Sequence, residues 1–133
     1  QYLEYSLKYI KKILKKLSED PITSKTPTIV FARDPKCNLN EFKLANLSCY
    51  GMFTSIDPSS AISVFEGTHA LQGNLDPKIL LEEDSVIKES ALKMLSEFKD
   101  FPGYIFNLGH GITPDINPDK VKVLVEAIRE SGS

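Results

Sequence analysis

The chain has 133 residues, of which 41% are hydrophobic and 26% are charged, a composition typical of one globular domain with one core. Its net charge of −2 argues against a protein that holds nucleic acid through electrostatic attraction. No apolar run approaches the roughly 20 residues that a membrane-spanning helix needs, and no signal-peptide pattern opens the chain.

The first 17 residues have the pattern of an amphipathic helix. Apolar residues recur there at steps of three and four, which places Leu3, Leu7, Ile10, Leu14 and Leu17 on one face. Lysines occupy most of the opposite face, and we interpret them as the solvated side of a helix packed on a sheet, because no Trp or Phe lies at the apolar edge. Since this pattern is under way almost from Gln1, the sequence predicts a piece of a longer protein.

Four short apolar runs then alternate with helical patterns. The predicted strands cover 28–32, 49–54, 69–71 and 104–106, and the first of them has the apolar run expected of a strand buried on both faces. The predicted helices lie near 38–45, 57–65, 84–99 and 117–130, the last of them burying Val121, Leu124, Val125 and Ile128. Three of these helices have predicted caps, at Asn38, at either Asp84 or Ser85, and at Asn117, and the helix near 57–65 is opened by the stretch DPSS (57–60).

This alternation predicts an α/β fold with parallel strands and right-handed crossovers. Two architectures fit the pattern: a doubly wound open sheet, and consecutive units of a (β/α)8 barrel. Periodicity does not separate them. The chain has no GxGxxG motif after its first strand and no GxxxxGK[ST] motif, which argues against dinucleotide and nucleoside-triphosphate sites.

The two cysteines, Cys37 and Cys49, lack the paired short spacings of a zinc site and are too few for a disulfide framework. We interpret them as ordinary thiols in a reducing compartment. The sequence therefore predicts no metal site.

Two loops at the predicted carboxyl ends of strands carry the informative residues. In QGNLDP, Gly73 and Asn74 tolerate positive φ and Asp76 can bond its own backbone, which predicts a shaped turn. In NLGHG, His110 follows the last strand between Gly109 and Gly111, where α/β proteins place their chemistry.

These motifs carry a family resemblance. LQGNLDP (71–77) and YIFNLGHGITPDINPDKVKVLVEAIRE (104–130) resemble the C-terminal part of uroporphyrinogen decarboxylases, and IVFARD (29–34) resembles a preceding strand of that family. The resemblance implies a (β/α)8 barrel of which residues 1–133 are the C-terminal half, namely the last four βα units and the helix before them. It also implies that the full-length protein forms a homodimer.

The family removes carbon dioxide from the four acetate side chains of uroporphyrinogen III, giving coproporphyrinogen III in haem biosynthesis, without metal or organic cofactor. The resemblance thus implies a tetrapyrrole substrate, and a cytoplasmic protein, or a plastid one if a targeting peptide precedes this segment. Most of the family's active-site arginines, its aspartate and its tyrosine belong to the N-terminal half. We therefore expect this chain alone to be inactive.

The resemblance carries over one active-site residue, His110, which is expected to hydrogen-bond a substrate carboxylate or the pyrrole side of the cleft in a supporting share of catalysis. Gly109 and Gly111 would let the backbone place its ring. Arg33 is a weaker candidate for a substrate carboxylate, because a surface salt bridge to Asp34 or Glu41 is equally expected.

The remaining polar residues in and near these loops are interpreted as structural. We expect Asn74 and Asp76 to shape their turn before they bind any ligand, and we interpret His69 as structural.

The chain departs from the family pattern in two places. Gly51, Met52, Phe53 and Thr54 stand where the family usually has Gly-Leu-Asp-Trp, so that an acidic and an aromatic side chain are lost or displaced. The segment after Arg33, usually glycine-rich, is DPKC (34–37). These changes indicate a divergent or plastid-type member.

Two alternatives compete with this interpretation. Corrinoid-linked methyltransferases of the same superfamily bind zinc through a His-x-Cys at a strand end and a further Cys near the position of His110, and neither cysteine is present here. A stand-alone flavodoxin-like binding module is the other alternative. Such a module would be monodisperse by itself, whereas four barrel units would leave the inner face of the sheet bare.

Overall fold

The computed structural model describes residues 2–132, without the side chain of Leu3, so the predicted place of Leu3 on the apolar face lies outside the described residues. The four strands are β1 (Ile29–Phe31), β2 (Cys49–Gly51), β3 (Ala70–Gln72) and β4 (Tyr104–Ile105). The helices are α1 (Lys8–Glu19), which continues from a π-helical stretch at Leu3–Leu7, α2 (Pro58–Phe65), α3 (Asp84–Glu97) and α4 (Pro118–Glu130). Two 3-10 helices, Leu39–Phe42 and Pro77–Leu81, complete the secondary structure of this segment.

The strands form one parallel sheet in the order β1-β2-β3-β4. With right-handed crossovers, a sequential order that never reverses places every connecting helix on the same face of the sheet. A doubly wound sheet reverses its order at a switch point and covers both faces. The α/β fold and its barrel-type arrangement are therefore confirmed, and the sheet order decides between the two predicted architectures.

One face of the sheet carries the main core. Val30, Tyr50, Leu71 and Tyr104 form one register row across the four strands. Tyr50 and Leu71 are fully buried beneath the helices, and the ring of Tyr50 stacks on that of Phe65 at a centroid distance of 5.1 Å. Burial raises the pKa of the Tyr50 phenol, since the charged form would lose its water. Because side chains alternate between the two faces along a strand, the residues on either side of this row point to the opposite face of the sheet.

The opposite face, which we call the open face, is left uncovered by the described residues. Ile29 and Phe31 of β1 are 53% and 50% exposed, and Ile105 of β4 is 44% exposed. The prediction that the first strand is buried on both faces is therefore wrong. An apolar run predicts burial, but residues 2–132 leave about half of Ile29 and of Phe31 uncovered.

The predicted caps at Asn38 and Asn117 are confirmed, because each side chain accepts a backbone N–H of the first turn that follows it. Asp57 caps α2 in the same way, at the start of the helical turn predicted there. The cap of α3 was predicted at Asp84 or Ser85, and this is wrong. Glu83 occupies the cap position without a side-chain hydrogen bond. The residues before it form the 3-10 helix Pro77–Leu81, which Asp76 caps.

In α4 the predicted burial of Val125 is wrong. Val125 is 38% exposed, whereas Leu124 and Ala127 are buried three residues apart. Together with Leu75 and Ile87, these residues belong to a second core cluster that packs α3 and α4 beside the turn after β3. That packing holds the segment following β4 at the carboxyl edge of the sheet.

Candidate active-site cleft

A cleft of about 330 Å³ opens on the open face at the carboxyl ends of the strands. Parallel strands bring their carboxyl ends to one edge, so loops that are distant in sequence meet there. The cleft is lined by residues of all four strands or of the segments that follow them: Ile29, Phe31, Gly51, Met52, Gln72, Asn107, Leu108, His110 and Gly111. His110 therefore lies where the sequence placed it, in a concave site.

The backbone leading to His110 is fixed by the turn after β3. Leu75 pairs with Leu108 in a parallel bridge, and the amide of Gly109 donates to the carbonyl of Leu75 at 2.8 Å. These bonds extend the pairing of β3 and β4 beyond the last strand residues. The backbone just before His110 is consequently held in place by its pairing with the turn after β3.

The ring of His110 is half-buried, with its Nδ1 2.9 Å from the carbonyl oxygen of Gly111. A carbonyl oxygen only accepts hydrogen bonds, so Nδ1 is the nitrogen that carries the proton. Nε2 then accepts a hydrogen bond when the ring is neutral and donates one when the ring is cationic. The site thus presents one imidazole nitrogen whose role changes with protonation.

The two glycines that flank His110 differ. A Cβ at Gly109 would lie 2.6 Å from the backbone nitrogen of Thr54, so this position requires a glycine. A Cβ at Gly111 would meet nothing within 4 Å. The close approach at Gly109 joins the His110 segment to the loop after β2.

That loop supplies an aromatic side chain that sequence reasoning did not nominate. The ring of Phe53 lies 5.7 Å from the ring of His110 and 6.4 Å from that of Phe31, measured between centroids. The three rings form one wall beside the cleft, which we call the aromatic wall. Its sequence signal was the position of Phe53 near the end of the predicted strand 49–54, at a site where the resemblance expects an acidic residue.

The turn after β3 has the shape predicted for QGNLDP. Gly73 takes a φ of +115°, a Cβ there would meet the carbonyl oxygen of Met52 at 2.9 Å, and the Gly73–Asn74 peptide is cis. The hydroxyl of Tyr104 donates to the Gly73 carbonyl at 2.6 Å. Asn74 is only 4% exposed, and its side chain reaches back to the loop after β2.

Arg33 lies at the same edge of the sheet, two residues after β1, but it does not line the cleft. It is exposed and forms no ion pair or hydrogen bond with any residue from 2 to 132. The two predicted alternative partners are engaged elsewhere, Asp34 with Lys36 at 2.6 Å and Glu41 with Lys11 at 3.9 Å. Arg33 is thus a cation with no partner in the part of the chain that is described.

Other candidate groups lie apart from the cleft. The Nε2 of His69 donates to the carbonyl of Leu44 at 2.9 Å, and its ring meets the ring of Phe65 edge-on. Cys37 and Cys49 are free thiols whose pKa is raised by burial, with Glu41 adding to the effect at Cys37. His69 and both thiols therefore make contacts of a structural kind, and none of the three lines the cleft.

Among residues 2–132, no three His, Cys, Asp or Glu side chains are grouped so as to hold a metal ion. None of the helices in the same range has the length and apolar character needed to cross a membrane.

A sequential parallel sheet with an uncovered face and a cleft at the carboxyl ends of its strands defines a part of a (β/α)-barrel protein. Comparison with known families gives the particular group, because a family model described as uroporphyrinogen decarboxylase matches residues 1–131. The chain belongs to the uroporphyrinogen decarboxylase family.

Individual relatives agree with the family model. The chain is 36% identical over 129 residues to the uroporphyrinogen decarboxylase of Alcanivorax borkumensis, an alignment that covers 97% of this chain and 36% of the relative. It is 39% identical over 138 residues to that of Chlorobium chlorochromatii, covering 99% and 38%. The chain therefore spans little more than a third of the length of these curated relatives.

Among solved structures, a methyltransferase from Methanosarcina mazei superposes with a TM-score of 0.75. The match covers 99% of this chain and 37% of that protein, at 18% sequence identity. At this identity the likeness concerns the fold alone.

Proposed function

We propose that the chain forms the C-terminal half of a uroporphyrinogen decarboxylase, which converts uroporphyrinogen III to coproporphyrinogen III in tetrapyrrole biosynthesis by removing four acetate carboxyl groups. The observation that carries this proposal is the position of His110, beside the aromatic wall in a cleft at the carboxyl edge of the sheet. Family membership and the partial coverage of longer relatives support the same assignment.

The reaction uses the substrate as its own electron sink. Protonation of a pyrrole ring beside an acetate gives a cation, the bond between the methylene carbon and the carboxylate breaks, and its electron pair moves into that ring. The methylene carbon then takes up a proton and becomes a methyl group, and the ring loses the proton that it gained at the start, so that one proton replaces carbon dioxide overall. Such a reaction needs groups that hold carboxylates and move protons, and it needs neither metal nor organic cofactor.

His110 suits a supporting part in this chemistry. With Nδ1 bonded to the Gly111 carbonyl, Nε2 is the nitrogen left to meet the substrate. As a cation the ring donates from Nε2 to a carboxylate, and as a neutral ring it accepts a pyrrole N–H. Both are contacts that a tetrapyrrole with carboxylate side chains offers.

Arg33 extends the proposed site beyond the cleft, along the carboxyl edge of the sheet. Its guanidinium has no partner among residues 2–132, and it lies at the same sheet edge as the cleft. Guanidinium groups bind carboxylates through two parallel hydrogen bonds. We assign to Arg33 the binding of one peripheral carboxylate of the substrate.

The remaining walls come, in this proposal, from an N-terminal half of the same barrel. Within residues 2–132, β1 has no strand paired to its outer edge, and a groove of about 350 Å³ runs between α1 and β1. Apolar residues of both elements line it, including Ile13 and Phe31, which are 57% and 50% exposed. A preceding strand would pair there and cover these side chains. The full-length protein is proposed to be a homodimer in the cytoplasm or a plastid.

A chimera tests the proposal. The 129-residue segment of the Alcanivorax borkumensis relative that aligns with this chain is replaced by this chain, and the product is assayed with uroporphyrinogen under anaerobic, reducing conditions. We expect the chimera to release carbon dioxide and form coproporphyrinogen, and the chain alone to do neither. A chimera that folds cooperatively but has no activity, or turnover by the chain alone, would overturn the proposal.

A further inference from the structure

The loop formed by residues 53–56, between β2 and α2, carries Phe53 to the ring of His110. Two other segments hold this 53–56 loop from different sides. Asn74 of the turn after β3 bonds to its backbone, and Gly109 of the His110 segment packs against it. The loop is thus tied to both turns that build the cleft.

The side chain of Asn74 makes the more specific of these contacts. Its Nδ2 donates to the carbonyl of Phe53 at 2.9 Å and to the carbonyl of Ile56 at 2.7 Å. The orientation of the amide is determined, because a flipped group would place Oδ1 against two carbonyl oxygens. The buried side chain of Asn74 therefore uses both of its N–H donors to hold the two ends of the 53–56 loop.

The contact at Gly109 links this loop to the histidine. The backbone of Thr54 lies so close that no side chain fits at position 109, and His110 is the next residue. The loop position therefore determines both the backbone that precedes the imidazole and the aromatic ring beside it. Without the Asn74 bonds, the Ile56 carbonyl would lose this donor and the Phe53 carbonyl would keep only the N–H of Ile56, so the loop would be held less firmly.

We propose that Asn74 is a positioning residue, which holds the 53–56 loop so that Phe53 keeps the imidazole of His110 in one orientation at the cleft. Any effect on decarboxylation rests on the role of His110 in the proposed function. The positioning itself is a property of the free chain, so its test is independent of activity.

The test uses proton NMR of the 133-residue chain, which contains two histidines. His110 lies beside Phe53, whereas His69 lies beside Phe65 in the core and reports on the fold there. Phe53→Leu removes the neighbouring ring. Its spectrum therefore gives the chemical shifts that the His110 ring protons have without that ring. Asn74→Asp keeps the shape of the side chain but replaces the donors with an acceptor. Asn46→Asp, at an exposed position before β2, is the matched control.

We expect Asn74→Asp to move the His110 ring resonances to the values seen in Phe53→Leu, with the His69 resonances unchanged. Asn46→Asp should leave both histidines unchanged. Unmoved His110 resonances in a folded Asn74→Asp chain would overturn the proposal. So would equal displacement of the His69 resonances, because Asn74 would then support the core in general.

A second measurement needs no folded variant. In the unsubstituted chain, both side-chain amide protons of Asn74 should exchange with deuterium more slowly than those of exposed Asn46. Equal exchange rates for the two side chains would overturn the proposal without any reference to decarboxylation.

Discussion

Gly109 lies against Thr54 at a distance that leaves no room for a side chain. A Cβ at position 109 would come within 2.6 Å of the Thr54 nitrogen and 2.7 Å of its Cα. Because backbone atoms cannot rotate away, we expect Gly109→Ala to reduce the free energy of unfolding by about 1–3 kcal/mol. Urea denaturation of the chain measures this change.

Gly111→Ala provides the control for that substitution. A Cβ there would meet nothing within 4 Å, so we expect the free energy of unfolding to stay within about 0.5 kcal/mol of its original value. Equal losses at both positions would show that the contact with Thr54 is not the cause.

Arg33→Gln is expected to raise the KM of the chimera for uroporphyrinogen about tenfold and to change kcat less. The reason is that a hydrogen-bonded ion pair with a substrate carboxylate contributes roughly 1.5–3 kcal/mol to binding. Steady-state kinetics separate the two constants. Arg129→Gln, on α4, removes the other arginine of the chain and should leave both unchanged. Equal effects of the two substitutions would argue against a specific site at Arg33.

The open face is expected to make the isolated chain associate. Ile29, Phe31 and Ile105 expose apolar surface at one face of the sheet, and burying such surface is favourable. Phe31→Lys should reduce the mass measured by light scattering and the binding of an apolar dye. Ile22→Lys, in a loop where the side chain is 87% exposed, should do neither. A monomeric chain that binds no dye would contradict the barrel-half assignment.

Asp57 is expected to make the stability of the chain fall with acid. Hydrogen bonds from Ser59 and then Ser60 hold the pKa of Asp57 below its usual value. Its stabilising effect is therefore present above the unfolded pKa of about 3.9 and is lost as pH falls through the lower, folded pKa. Asp57→Asn should flatten the dependence of the urea midpoint on pH between about pH 5 and pH 3.

Asp100→Asn is the control for this pH effect. It removes an exposed carboxylate that neighbours Lys99 and accepts no serine hydrogen bond. If it flattened the pH dependence as much as Asp57→Asn, the hydrogen bonds at the α2 cap would not be the cause.

Local signals predicted most of the fold. The caps Asn38, Asp57 and Asn117 begin helices as expected, because their bonds involve only the next few residues. The 3-10 helix at Pro77–Leu81 was missed although Asp76 caps it through a local bond to the Lys78 amide. The cap of α3 was missed because Glu83 makes no side-chain capping bond. The choice between a wound sheet and a barrel needed the strand order, which periodicity does not contain.

The candidate site was predictable only in part, for a similar reason. The strand end and the flanking glycines pointed to His110, but Phe53 and Asn74 act through contacts between residues 57 and 21 positions apart in sequence. A Gly-Asn turn alone predicts backbone shape, and only the fold shows the Asn74 side chain bonded to another loop. Long-range contacts of this kind leave no pattern in a single sequence.

The central claim is that Nε2 of His110 acts on the substrate, and His110→Asn in the chimera tests it most directly. The Asn amide takes the place of Nδ1, so the hydrogen bond to the Gly111 carbonyl is kept while Nε2 is removed. His69→Gln is the matched control, because its amide takes the place of the Nε2 that bonds to Leu44.

We predict that His110→Asn lowers kcat/KM for uroporphyrinogen by roughly tenfold or more, as expected for the loss of about 1.4 kcal/mol of transition-state stabilisation, with unchanged circular dichroism. His69→Gln should retain the parent rate. An undiminished kcat/KM in a folded His110→Asn chimera would contradict the claim.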